Sequence, residues 1–225
     1  MCRPLRCARV KVENRLVIYG IYYAGGLIAG GALITYLLGW PYAIPFYILA
    51  AFCLYFFRDP ERQPPDGPVA VSPADGKVVA VHPEEAGANR ISIFLNVFDV
   101  HVNRVPIGGR ITDVRYQTGK FLVASKEAAS HSNEQNTITV DGKVDGHTTR
   151  VVFKQIAGLV ARRIICYKKP GDQVAAGERV GLIKFGSRVD VFLGPEWDVA
   201  VRVGERVAAG SSVIARWRTP AGEAA

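Results

Sequence analysis

No charged residue stands between Arg15 and Arg58. In a chain of 225 residues with a mean hydropathy of +0.12, that gap gathers the apolar character into one stretch and sets it apart from the rest. Cysteine is sparse too. Cys2, Cys7, Cys53 and Cys166 are scattered and form no CxxC pair, which excludes a disulfide framework and a thiolate metal site and fits a reducing compartment. Cys2 and Cys7 read as unmodified thiols. No segment interleaves basic and aromatic residues in the manner of a nucleic-acid-binding motif, so the net charge of +8 does not point to DNA or RNA.

The position of the charge gives a better reading. Arg3, Arg6, Arg9, Lys11 and Arg15, opposed only by Glu13, come just before the uncharged stretch. Basic residues flanking a hydrophobic segment mark a cytoplasmic membrane face. Residues 16–38 exceed the roughly 20 apolar residues that a spanning helix needs. Gly39-Trp40-Pro41 interrupts them, and residues 42–57 form a shorter second run containing Pro45 and edged by Trp40, Tyr42, Tyr55 and Phe56. Residues 1–57 therefore predict a basic N-terminus followed by a transmembrane helical hairpin, with Gly25, Gly26, Gly30 and Gly31 allowing close approach of the helices. The turn has no Lys or Arg, so both ends are expected in the cytoplasm, with the remainder of the chain on the cytoplasmic side of the cell's inner membrane. A hairpin lying in one leaflet is the alternative.

Residues 58–225 read as a second, mainly β domain. From about Gln63, short β-branched runs alternate with Gly, Pro and Asp, as in Gly76-Lys77-Val78-Val79-Ala80-Val81, Arg90-Ile91-Ser92-Ile93-Phe94-Leu95 and Arg150-Val151-Val152-Phe153-Lys154. Residues 123–136, rich in Ala, Ser, Lys and Glu, are the main candidate for a helix or long loop. Lys169-Pro170-Gly171-Asp172-Gln173-Val174-Ala175-Ala176-Gly177 repeats as Arg202-Val203-Gly204-Glu205-Arg206-Val207-Ala208-Ala209-Gly210. Each copy predicts a tight turn followed by a short strand. The pair resembles the hammerhead units of biotinyl and lipoyl carriers, which implies a flattened β-sandwich. The one methionine is Met1, so the biotinyl lysine pattern is absent. Between the copies stands Lys184-Phe185-Gly186-Ser187-Arg188 instead.

Gly186-Ser187 lies between two apolar runs, Val180-Gly181-Leu182-Ile183 and Val189-Asp190-Val191-Phe192-Leu193. A serine there is ordinarily structural, but the residue before it gives it a specific chemistry. Its hydroxyl is placed to attack the Gly186 carbonyl in an N-to-O acyl shift, given strain and a nearby base. Glycine clears the attack path and tolerates unusual dihedrals.

Four blocks carry a resemblance to one family: Phe56-Phe57-Arg58-Asp59-Pro60-Glu61-Arg62, Ser72-Pro73-Ala74-Asp75-Gly76, Asn96-Val97-Phe98-Asp99-Val100-His101-Val102-Asn103-Arg104-Val105-Pro106 and Phe185-Gly186-Ser187-Arg188. Their order resembles that of short phosphatidylserine decarboxylase proenzymes, over most of the chain. The resemblance implies cleavage between Gly186 and Ser187 into a β chain of residues 1–186 and an α chain of residues 187–225. Ser187 would become a pyruvoyl group, the only cofactor, with no metal. That carbonyl would take up the substrate amine and then the electrons left by carbon dioxide. The implied substrate is a membrane phospholipid; a homodimer is a further expectation.

Asp75 matches the family aspartate that orients the cleavage base, and His101 matches the first of the family's two histidines, a group suited to moving protons near neutral pH. The sequence then departs from the pattern. Arg104 stands in place of the second histidine, and Gly-Ser-Arg replaces the Gly-Ser-Thr of many members. Arginine stays charged and makes a poor base. The cleavage base is therefore either His101, serving twice, or His131. Arg104 and His131 are candidates for contact with the substrate, Arg104 through its planar fork. His82 and His147 are expected to be exposed. The rival reading of the same repeats is a membrane-tethered carrier or secretion adaptor, which would remain one uncut chain.

Overall fold

A computed structural model describes residues 10–122, 124, 129–159, 163–183 and 186–218, except for the side chains of residues 10–17, 85 and 131. Cys2, Cys7 and Arg3, Arg6 and Arg9 lie outside the described residues, as do Lys184 and Phe185. The chain forms two compact units that divide between Pro60 and Glu61.

In the first unit, α1 (Val10–Leu38) and α2 (Trp40–Phe56) are separated by Gly39. Gly39 takes φ +99, which side chains disfavour, and Pro41 follows in the first turn of α2, where its missing N–H is no loss. The helices run antiparallel, since Gly31 lies against Phe46 and Tyr47 while Gly20 lies against Phe57. Of the four glycines expected at this contact, Gly30 and Gly31 face α2. Gly25 and Gly26 face open space, and Gly20 does the work instead. Residues 18–38 are long and apolar enough to cross a membrane, whereas the 17 residues of α2 are shorter. Tyr22, Leu33, Tyr36, Leu37, Trp40 and Ile48 are exposed, an apolar surface far larger than water-soluble proteins carry.

The second unit is mainly β, as expected. Its strands are β1 (Val69–Val71), β2 (Gly76–Pro83), β3 (Asn89–Leu95), β4 (Val102–Arg104), β5 (Gly109–Gln117), β6 (Gln135–Val144), β7 (His147–Ile156), β8 (Ile164–Cys166), β9 (Gln173–Val174), β10 (Arg179–Ile183), β11 (Ser187–Leu193), β12 (Trp197–Val199), β13 (Arg206–Val207) and β14 (Val213–Trp217). Eight of them form one antiparallel sheet in the order β13-β2-β3-β11-β7-β6-β5-β9. Two three-stranded sheets, β1-β14-β12 and β4-β10-β8, accompany it. Ile91, Ile93, Leu95, Val189, Val191, Phe153 and Ile138 line one face of the large sheet and belong to the core.

The internal repeat is a structural one. Gly171 and Gly204 have φ +97 and +96, and Gly177 and Gly210 both have φ +72. Asp172 accepts the Lys169 N–H at 3.0 Å, and Glu205 accepts the Arg202 N–H at 3.1 Å, so each acidic residue closes its own turn. The following strands, β9 and β13, occupy the two edges of the large sheet.

Of residues 123–136, expected as a helix or long loop, residues 123 and 125–128 lie outside the described residues; the described ones form the helix α3 (Ala129–Ser132), and Gln135 and Asn136 already belong to β6. Asn133 ends the helix. Its side chain bonds the Leu122 N–H and carbonyl and the Ala157 carbonyl, competing with further helical bonding.

Candidate active site

Ser187 opens β11, a strand held on both sides, by β3 through Ser187 and Leu95 and by β7 through Arg188 and Ile156. Gly186, just before it, has φ +66. Two residues beyond the end of β7 stands Gly158. A Cβ there would collide with the Gly186 carbonyl oxygen, so only glycine allows that carbonyl its place. Ser187 is fully buried, and among the described residues its Oγ has no hydrogen-bond partner.

His101, 2% exposed, meets this bond directly. The Gly186 N–H donates to its Nε2 at 3.1 Å, and its Nδ1 lies 2.9 Å from the Asp99 carbonyl. A carbonyl only accepts and an amide N–H only donates, so Nδ1 carries the proton and Nε2 presents a lone pair to the cleavage site. The imidazole is neutral and ready to take a proton. Asp99 sets this orientation: its carboxylate accepts the Asn96 N–H at 2.8 Å and an ion pair from Arg206 in the second repeat.

Asp75 is placed beside that strand. Its carboxylate accepts the Ala209 N–H at 2.8 Å and pairs with Arg62 at 2.8 Å. Its loop also touches the His101 strand, since the Pro73 carbonyl accepts the Arg104 N–H. The ring of His101 is oriented by the Asp99 carbonyl, a backbone partner that no residue type announces. Arg104 is buried; its Nη1 donates to the Gly177 carbonyl at 3.1 Å, and its Cδ packs where a Cβ on Gly210 would fall. It braces the turns of both repeats. His131 lies on α3, and its side chain is outside the described residues. His82 and His147 are exposed, as expected.

Side chains alternate along a strand, so Ser187 shares the core face with Gln155 on β7 and Asn136 on β6, while Arg188 and Asp190 face the other way. On the core face runs a buried chain of amides. Asn136 Nδ2 donates to Gln155 Oε1 at 3.0 Å, and Gln155 Nε2 donates to Asn103 Oδ1 at 2.8 Å. Asn103 Nδ2 is left without a partner among the described residues. Two buried polar groups without a partner among the described residues, Ser187 Oγ and Asn103 Nδ2, thus accompany the same short stretch; leaving such a group unmatched costs about 1–3 kcal/mol, which makes the place a candidate for function. Cys166, on neighbouring β8, is no rival nucleophile, because burial pushes its thiol pKa up.

On the opposite face, Arg188 Nε donates to Asp190 at 2.6 Å and its Nη2 donates to Ser92 at 2.7 Å. Ser130 of α3 donates to the other oxygen of Asp190 at 2.7 Å. The arginine of the Gly-Ser-Arg motif is thereby a buried strut on the face of β11 opposite Ser187. Removing its carboxylate in Asp190→Ala strands a buried cation, and a loss of about 3–5 kcal/mol is expected in urea unfolding. A loss under about 1 kcal/mol would show the pair to be dispensable.

A family model described as phosphatidylserine decarboxylase matches residues 49–215. The chain belongs to the phosphatidylserine decarboxylase family. It is also 64% identical over 202 residues to the phosphatidylserine decarboxylase proenzyme of Solibacter usitatus (strain Ellin6076), covering 90% of this chain and 97% of that protein. The family match runs through the His101 strand, Gly186-Ser187 and the two repeats of this phosphatidylserine decarboxylase family member. A carrier or adaptor function is not favoured.

Proposed function

We propose that this chain is a self-processing, pyruvoyl-dependent enzyme that converts phosphatidylserine to phosphatidylethanolamine and carbon dioxide. One observation carries the reading: a buried Ser187 hydroxyl, without a partner among the described residues, follows a glycine in left-handed conformation, and His101 Nε2 lies 3.1 Å from that glycine's nitrogen.

In self-cleavage, His101 Nε2 gives up the Gly186 N–H and takes the Ser187 hydroxyl proton as Oγ attacks the Gly186 carbonyl carbon. The bond from that carbon to the Ser187 nitrogen breaks and the nitrogen is protonated, leaving an ester. Loss of the Ser187 α-proton expels the Gly186 carboxylate, and water then releases ammonia and leaves a pyruvoyl group at the head of β11. Asp75, in the loop beside the His101 strand, is the residue assigned to orient the base for cleavage. His131 is the second candidate base. Arg104 serves as a brace for the repeat turns rather than as a ligand.

The site fits the group, since Ser187 heads a strand fixed on both sides and faces the buried amide chain. A pyruvoyl group supplies a carbonyl that binds an amine and draws electrons from the bond to the departing carboxylate. His101 then returns a proton to the carbon that has lost carbon dioxide, and burial excludes competing water.

The products are a β chain of residues 1–186 and an α chain of residues 187–225, which stay paired through β3, β7 and β11. The helical hairpin crosses the inner membrane with the catalytic unit on the cytoplasmic side, and the repeats are of the hammerhead type. Phosphatidylserine labelled in the serine carboxyl group should release labelled carbon dioxide from the full chain, while free serine should not. Equal release from free serine would overturn the phospholipid reading.

A further inference from the structure

Ser187 stands at one end of the large sheet, and the apolar surface of the catalytic unit collects at that same end. Five large apolar side chains are exposed among the described residues of this unit, namely Phe98, Tyr116, Leu122, Leu159 and Val203. Four of them surround the cleavage site. Phe98, 60% exposed, is in the loop that leaves β3 directly after Leu95, the partner of Ser187. Leu159, 59% exposed, follows Gly158, which lies against the Gly186 carbonyl. Leu122 is tied by Asn133 to Ala157, and Tyr116 pairs with Asn136 at the same end of β5. At the far end of β6 and β7 the exposed residues are instead Lys143, Asp145, His147 and Thr148. The two ends of one sheet thus differ in kind.

Basic residues accompany the apolar rim. Lys120 is exposed two residues before Leu122, and Arg163 is exposed where the chain enters β8, beside the end of β10 that leads to the cleavage site. Exposed apolar side chains among Lys and Arg are what an anionic bilayer surface receives: the rings and aliphatic groups enter the interface, and the cations meet the headgroups. The reaction itself selects this occupant. Ser187 is fully buried behind the rim, and the amine of a serine phospholipid is joined to the glycerol by a short headgroup. When the amine is at Ser187, the acyl chains remain at the rim.

We propose that Phe98, Tyr116, Leu122 and Leu159 form a docking face that seats the catalytic unit on an anionic bilayer around the mouth of the active site, a function separate from anchoring by the helices. The proposal rests on the phospholipid reading of this same site. Tethering holds the enzyme near the membrane; the docking face lets a headgroup leave the lipid plane and reach Ser187 without passing through water.

The test uses the full chain carrying Phe98→Asp and Leu159→Asp, singly and together, with two substrates. These are phosphatidylserine in phosphatidylcholine vesicles and a short-chain, water-soluble phosphatidylserine. The double variant is expected to self-cleave and to keep turnover on the soluble substrate within about twofold, while turnover on vesicles falls about tenfold or more, because aspartate does not enter the interface. Unchanged vesicle turnover overturns the proposal. A parallel loss on both substrates also overturns it, because the side chains would then serve the reaction itself. If the aspartate pair does not fold, Phe98→Ser with Leu159→Ser is read by the same criteria. A parent chain inactive on both substrates would refute the phospholipid reading alone. Docking is then read from Leu159→Trp in vesicles of acyl-brominated lipid: added quenching over the parent supports it, and none overturns it.

Discussion

Ser187→Ala is expected to give one uncut chain with no measurable decarboxylase activity and an intact fold. The hydroxyl is the only group on this side chain able to attack the Gly186 carbonyl, so its removal ends cleavage at the first step. Without cleavage no pyruvoyl group forms, and the loss of turnover is complete rather than partial. Stability should barely change. Ser187 Oγ has no partner among the described residues, so its deletion breaks no hydrogen bond and removes an unmatched buried polar atom, an effect of less than about 1 kcal/mol or slightly stabilising. Denaturing electrophoresis and urea unfolding check the two halves. Normal cleavage in this variant would remove Ser187 from the mechanism.

His101→Ala is expected to slow self-cleavage by about 10²–10⁴-fold, the usual contribution of a general base. The structure ties the imidazole to the scissile segment through Gly186, so cleavage and turnover should both suffer. His101→Gln separates chemistry from shape: the amide occupies the pocket and bonds its neighbours but cannot take the proton. Its cleavage should be as slow as that of the alanine variant, while its stability stays nearer the parent's. If His101→Ala cuts normally but turns over slowly, His131 becomes the cleavage base and His101 acts only in returning the proton. Normal cleavage with normal turnover would exclude His101 from the active site.

The features legible in the sequence are those written in neighbouring residues. An uncharged run reads as helices because nothing in it seeks water, and Gly39 and Pro41 mark the break. The repeat is legible because each turn needs glycines at fixed offsets and an acidic side chain between them. Gly186-Ser187 is legible because the chemistry needs adjacent residues. What escaped is written across the chain. His101 depends on Asp99, and Asp99 on Arg206, which lies 107 residues away. Gln155 joins Asn103 across 52 residues, and Arg188 reaches Ser92 across 96. Each of these side chains, read alone, is a surface polar residue. Only the sheet order brings them together, burying all of them but Arg206. The helix at residues 129–132 was legible only as one of two readings of residues 123–136, helix or long loop, because its end is set from afar: the Asn133 amide is committed to the backbone at Leu122 and Ala157.

The central claim, that the chain cuts itself before Ser187 and converts that residue, is tested most directly by the intact mass of the purified, denatured protein. Two chains are predicted, residues 1–186 ending in a free Gly186 carboxylate and residues 187–225 lighter by one ammonia than a peptide headed by serine. A single chain of full length, or a smaller fragment that still begins with serine, would contradict the account.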